Sequence, residues 1–204
     1  RVLEPSAGIG NFISYMPKHI QKNSSVTAVE LDNLTGNILR LIHDEADTRI
    51  SGIQDVAMPD NSQDLVISNI PFGNYRIYDK AFKGEKEKFL NRIHNYFFIK
   101  ALDKAREGGI VALVTSKGVL DSPGNQDVRE YINSHANFLG AVRLPNTTFK
   151  NVANTEVVTD IIFLQKNTQS KTNNEDFISI EKVEAVHKDG EIQEVGINNY
   201  FSKH

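Results

Sequence analysis

Asn69-Ile70-Pro71-Phe72 brings a side-chain carboxamide, a backbone carbonyl, a ring-locked residue and a flat aromatic face into four consecutive positions. The carboxamide and the carbonyl at residue 70 both accept hydrogen bonds, and Pro71 fixes the backbone between acceptor and ring. An aromatic face stacks on a planar base with about 1–3 kcal/mol. Such a set can grip an amino group on a heteroaromatic ring while holding the ring flat. That chemistry rests on positioning and electrostatics and requires neither a metal nor a strong base. Asn and Pro are also ordinary turn formers, so the tetrapeptide gains meaning only from its surroundings.

Three other features carry chemistry. Glu4-Pro5-Ser6-Ala7-Gly8-Ile9-Gly10 sets two glycines at the mouth of a helix, where the backbone can approach a ligand closely. Glu4 would repel a pyrophosphate and suits a cationic or amine-bearing ligand, and the third glycine of the dinucleotide fingerprint is missing. Glu30 follows about 20 residues later, where adenosine-binding folds place an acceptor for ribose hydroxyls. Asp55 could accept from an adenine amine, although taken by itself it reads first as a turn residue.

The elements that position these residues alternate. Arg1–Glu4 reads as a strand, and a helix is expected from about Asn11 to Pro17 or a turn beyond. Ser25–Leu31 is a second strand, with Asp32 at the N-cap of a helix carrying Leu34, Ile38, Leu41, Ile42 and Ala46. A third strand ends near Ile53, and Asp64–Ser68 is the fourth. The loop from Asn69 to about Glu87 is longer than a usual βα connection. Phe89, Ile93, Tyr96, Phe97 and Ala101 define a helix ending at Gly108-Gly109. The apolar run Ile110–Thr115 has the character of a central strand buried on both faces. A helix over 124–136 and strands near Leu139–Leu144 and Val157–Gln165 follow, the last two joined by a loop holding Asn146 and Asn154. Strands alternating with helices imply a mostly parallel sheet whose final strand pair is antiparallel. Residues 167–175 are polar throughout, and the segments 177–186 and 191–195 flank a hairpin signal at Lys188-Asp189-Gly190.

In open α/β sheets ligands bind beyond the carboxyl ends of the strands, where strand order reverses, and all four chemical features fall at such ends. The 204 residues suffice for one domain with a buried core and a small appendage. No apolar run approaches the roughly 20 residues of a membrane helix. Without cysteine there are no disulfides or thiolate metal sites, and the six histidines show no metal-ligand spacing, each suiting a surface or capping position. The net charge of −3 hides an asymmetry: between Arg76 and Arg106 nine basic residues face four acidic ones, a local excess of +5 able to attract phosphates.

The order Glu-Pro-x-x-Gly-x-Gly, an acid after the second strand, then Asn-x-Pro-Phe after the fourth resembles the amino-methyltransferases, and specifically the gamma-type adenine-specific DNA methyltransferases. The likeness runs from residue 1 to about 166. Tyr96-Phe97-Phe98, Gly108-Gly109-Ile110, Val142–Asn146 and Val158–Leu164 narrow it to methylase domains of large mobile-element helicase–methyltransferases of antirestriction type. The resemblance implies a Rossmann-like S-adenosylmethionine-dependent methyltransferase fold, a mostly parallel seven-stranded sheet with an antiparallel final strand, flanked by helices. It implies an N-terminally truncated methyltransferase domain over 1–166, with a linker and a hairpin-like extension over 167–204. The catalytic residues become Asn69, Ile70, Pro71 and Phe72. The cofactor would touch Glu4, Pro5, Ser6, Ala7, Gly8, Gly10, Phe12, Glu30, Leu31, Asp55, Asn69 and Phe97.

The implied partners are DNA with a flipped adenine, entering past Gly73–Arg76 and the basic loop, and the helicase and target-recognition domains of a larger cytoplasmic parent chain. Neither metal nor membrane is expected. Ile70 departs from the family's usual first proline. Its carbonyl still serves, but a less rigid chain is expected there. The same chemistry also methylates RNA bases and protein glutamine, and a catalytically degenerate module of a larger helicase–methylase is the non-enzymatic alternative.

Overall fold

The computed structural model describes residues 1–148, 157–167, 169, 175–186 and 192–204. Its centre is a seven-stranded sheet of β1 (Val2–Glu4), β2 (Val26–Glu30), β3 (Asp47–Ile50), β4 (Gln63–Asn69), β5 (Ala105–Ser116), β6 (Ala136–Leu144) and β7 (Thr159–Lys166), in the order β3-β2-β1-β4-β5-β7-β6. The strands from β3 to β5 are parallel, and β7 runs antiparallel to both β5 and β6. The chain therefore winds outward in both directions from the β1–β4 junction, which places the reversal of strand order between Glu4 and Asn69.

Among the described residues the α-helices are α1 (Asn11–Ser14), α2 (Lys18–Gln21), α3 (Asn33–Ile42), α4 (Ile93–Lys104), α5 (Gly118–Asp121), α6 (Gln126–His135), α7 (Glu175–Ile178) and α8 (Asn199–Lys203). Asp32 caps α3 as its sequence suggests, accepting from Thr35 N at 2.8 Å. The larger core unites Leu3, Val66, Val111, Leu113, Ile162 and Leu164 of the sheet with Phe98, Leu120 and Ile132 of α4, α5 and α6. A smaller cluster packs Ile13 of α1 and Leu39 of α3 on Val2, Val26 and Ala28 at the other face.

Several element boundaries differ from the sequence expectation: α3 stops at Ile42, short of Ala46, and the helix expected from Phe89 is 3-10 up to Asn91. Pro17 divides the first helix into α1 and α2, since proline supplies no N–H to continue it. β3 stops at Ile50, and Ile53–Asp55 forms a single 3-10 turn that buries Ile53. Gly108-Gly109 lies inside β5 rather than at a helix end. The strand register shifts there, Gly108 has φ +72, and a Cβ on Gly109 would sit 2.9 Å from the carbonyl oxygens of Arg106 and Gln63. The glycine pair thus serves a bulge instead of a cap. Strands β8 (Ile180–Val186) and β9 (Ile192–Asn198) pair antiparallel, while the Lys188-Asp189-Gly190 turn, Asn154 and most of the polar 167–175 segment lie outside the described residues.

Candidate active site

At the carboxyl end of β1 the chain turns through Gly8 and Gly10, at φ +57 and +87. Gly10 is required sterically as well, because a Cβ there would meet the His43 ring at 2.4 Å. His43 is buried behind this turn and bonds Ser14 Oγ, and His94 is buried at the start of α4, so neither occupies the surface position expected of the histidines. Ala7 N donates to Val29 O at 2.8 Å, and Ser68 Oγ donates to Ser6 O at 3.2 Å, tying the turn to both neighbouring strands.

Two acids flank the turn. Glu30 accepts from Gly8 N and Asp32 N, each at 2.8 Å, which fixes its carboxylate at the end of β2. Glu4 is only 2% exposed, and its Oε2 has no hydrogen-bond partner among the described residues. Burial, helped by the charge of Glu30, pushes the Glu4 carboxyl up to about 8.

A cavity of about 560 Å³ opens at this junction. Of the expected residues, Pro5, Ser6, Glu30, Leu31, Asp55, Pro71 and Phe97 line it. Glu4, Ala7, Gly8, Gly10, Phe12, Asn69, Ile70 and Phe72 are not part of its wall. Ala7 is packed in the smaller core, and Phe12 is half-exposed on α1. Ser51, Gly52, Ile53, Gln54, Ile77, Tyr78 and Ile93 complete the wall together with Tyr75. Only Tyr75 among these had a sequence signal, as part of the segment after the tetrapeptide. The rest reach the cavity through the β3–β4 connection and the fold of the long loop.

Asn69 is the last residue of β4, pairing with Val114 of β5. Its exposed carboxamide and the Ile70 carbonyl accept no hydrogen bond from the described residues. The Ile70 side chain is buried in the larger core, and its N–H donates to Val114 O at 3.1 Å. A proline at this position could not make that bond. Isoleucine thus extends the ladder by one bond where a proline would end it. Phe72 is 38% exposed at the start of the loop.

The loop itself is pinned by Asp79, which accepts from Ala81 N at 2.8 Å, Tyr96 Oη at 2.9 Å and Lys100 Nζ at 2.7 Å. Burial works to raise the Asp79 carboxyl, yet the bonds from Lys100, Ala81 and Tyr96 outweigh it and hold it below the usual range. Burial and the Asp79 charge push the Tyr96 hydroxyl well above its ordinary value. Sequence reading missed this anchor, because its partners lie 17 and 21 positions away. Among the described residues, no group of three or more His, Asp or Glu side chains could hold a metal, and no helix is long and apolar enough to cross a membrane.

Comparison with known proteins agrees with this architecture. The N-6 DNA methylase family matches residues 2–200. Defense against restriction protein B of Escherichia phage P1 is 32% identical over 169 residues, covering 80% of this chain. The chain spans only 7% of the length of that phage protein. Among solved structures, a class I S-adenosylmethionine-dependent methyltransferase from Listeria monocytogenes superposes with a TM-score of 0.65 at 18% identity, over 85% of this chain and 56% of its own. A type I restriction-modification methyltransferase subunit from Streptococcus thermophilus gives 0.65 at 18% identity, over 82% of this chain and 40% of its own. Both share the α/β fold of this chain.

Proposed function

The chain belongs to the N-6 DNA methylase family, and from that premise we propose that it transfers the methyl group of S-adenosylmethionine to the exocyclic amine of adenine in DNA. The observation that carries this reading is the end of β4: two unengaged acceptors, Asn69 and the Ile70 carbonyl, beside the exposed Phe72 ring, with Pro71 in the wall of the cavity.

S-adenosylmethionine suits the residues present. Glu30 can accept the ribose hydroxyls, Asp55 the adenine amine, and Ile53 and Phe97 give the base apolar walls. The unpartnered Glu4 Oε2 answers a cationic group near the β1 turn. When bound, this cofactor supplies an activated methyl group on a sulfonium.

The target amine is a poor nucleophile, because its lone pair is delocalised into the ring. Asn69 Oδ1 and the Ile70 carbonyl accept its two hydrogens and favour a pyramidal nitrogen whose lone pair is no longer shared with the ring, while Phe72 holds the base flat. Alkylation acidifies the amine, and the proton is shed to water. Flipping the base from a duplex costs a few kcal/mol, which stacking and the two hydrogen bonds recover.

Residues 1–166 are assigned as the catalytic unit and 167–204 as an extension docked on it through Phe177 and Asn198. Helicase and target-recognition domains of a longer parent chain complete the proposed assembly.

Incubating the protein with unmethylated DNA and methyl-labelled cofactor tests the reading. Label should enter adenine, and Asn69→Ala should lower kcat by about 10²–10³-fold. Label found only in protein, only in RNA or nowhere would overturn it, and unchanged activity of Asn69→Ala would remove this site from the chemistry.

A further inference from the structure

The basic stretch between Arg76 and Arg106 is largely spent inside the molecule. Lys86, Lys88, Lys100, Lys104 and Arg106 pair with Asp103, Asp127, Asp79, Asp60 and Asp64 at 2.6–2.7 Å, and Arg76 lies 3.9 Å from Glu87. Lys80, Lys83 and Arg92 have no carboxylate partner among the described residues. Of these three only Arg92 is half-buried, and it lines a cleft of about 260 Å³ with Lys88, Asn95, Gly124 and Asp127.

Arg92 stands where a cation is disfavoured. It is the N-cap residue of α4, whose first turn carries no acid, and the cleft also receives the first turn of α6. A positive charge at two helix N-termini has the wrong sign for both dipoles. The acid in the first turn of α6, Asp127, is already paired with Lys88. Asn125 is the right residue type to cap α6, yet its carboxamide is engaged elsewhere. Its Nδ2 donates to Gly118 O at 2.7 Å, and its Oδ1 accepts from Arg92 Nη1 at 2.8 Å and Asn95 Nδ2 at 3.0 Å. This relay holds the guanidinium still while leaving its other N–H groups without a partner among the described residues. It also leaves Asn95 Oδ1 unpartnered in a side chain only 8% exposed at the cleft wall. A fixed guanidinium with no carboxylate partner, facing a cleft at two helix N-termini, fits an anion.

Position identifies the anion. α4 and α6 both begin at the carboxyl edge of the sheet, the edge that carries Asn69. Ile93 lines the main cavity while its chain neighbour Arg92 lines this cleft. We propose that the cleft between the starts of α4 and α6 binds a backbone phosphate of the DNA strand that delivers the target base, with Arg92 as its main ligand. This inference rests on the proposed DNA methylation.

Binding of a fluorescent oligonucleotide over a salt series, with wild type, Arg92→Gln and Lys83→Gln, tests it. Arg92→Gln should weaken binding about tenfold whatever the sequence and flatten the log–log salt dependence by about one. Its KM for DNA should rise while kcat and cofactor affinity hold, and Lys83→Gln should change affinity much less. Neutralising single phosphates as methylphosphonates should reveal one position that weakens wild type but not Arg92→Gln. Should Arg92→Gln fail to fold, Gly124→Ala takes its place. The added Cβ would lie 3.3 Å from Arg92 Nη2 and push the guanidinium by a few tenths of an ångström with the charge intact, so DNA affinity should fall, by less than in Arg92→Gln, with the salt slope unchanged. Equal losses in both charge variants, unaltered DNA affinity, or no such phosphate position would overturn the proposal while leaving methylation standing. A wild type that neither binds nor methylates DNA would sink both.

Discussion

The two faces of the central sheet are built from the same strands but are covered unequally. Towards α4, α5 and α6, side chains alternating along β4, β5 and β7 (Val66, Val111, Leu113, Ile162 and Leu164) are fully buried. On the opposite face α1 and α3 protect β1 and β2, while along β4, β5 and β7 Leu65, Ile67, Ile110 and Ile161 are half-buried and Phe163 is 36% exposed. The difference separates two duties. The sealed face gives the site a rigid floor, since Ile70 and Phe97 both root in that core. The turn after β1 is supported from the thinner side by His43, Leu39 and Ile13.

The sharpest test of that division is Leu113→Ala. Leu113 is fully buried in the larger core, so its truncation should cost about 2–5 kcal/mol, read as a shift of the urea midpoint at constant m-value. A loss below about 1 kcal/mol would mean that the sealed face can collapse around the gap, and the contrast between faces would fail.

An effect of comparable size, spread over pH, is expected at the thinner side, where Glu4 is buried with its carboxyl pushed up to about 8. An acid whose folded pKa exceeds its unfolded value keeps a proton in the native state that the unfolded chain has already lost. Stability should therefore be unaffected below the ordinary glutamate range. It should fall by up to about 1.4 kcal/mol per pH unit from there to about pH 8, and level off above. Glu4→Gln should remove this slope, so that the two proteins diverge progressively between pH 5 and 8 in urea titrations, the variant being the more stable. Parallel curves would show that Glu4 ionises freely in the folded protein. The same substitution should weaken cofactor binding, which separates a ligand-facing acid from a merely buried one.

Much of this molecule could be read from its residues. The alternation of strands and helices, the Asp32 cap and the placement of Asn69, Glu30 and Glu4 at strand ends depend on local periodicity and local hydrogen bonding. What escaped reading is non-local. Gly108-Gly109 looks like a helix stop in sequence, and only the approach of the Gln63 carbonyl makes it a bulge. The charge excess after Arg76 reads as a stretch able to attract phosphates, but six of its cations meet acids, several of them distant in sequence. Ile70 looked like a loss of rigidity until its N–H was seen to join β5. The apolar run of β5 indicated burial on both faces, and Ala112 and Val114 are indeed largely covered, yet Ile110 in the same run is half-exposed.

That run yields the mildest prediction. Leu113 and Phe163 are nearly neighbours: Phe163 pairs directly across from Ala112, one residue along β5 from Leu113, but it points to the other face. Strand propensity is comparable for phenylalanine and threonine, so Phe163→Thr changes the face chemistry with little effect on the backbone. With a third of the ring already in water, the substitution should alter stability by less than about 1 kcal/mol. Removing an exposed ring should also reduce self-association at high concentration, measurable by light scattering. If Phe163→Thr instead cost as much as Leu113→Ala, the second face would have to be a packed core in solution. Its exposed side chains would then be covered by a second copy of the chain, and the light-scattering mass of wild type would show it.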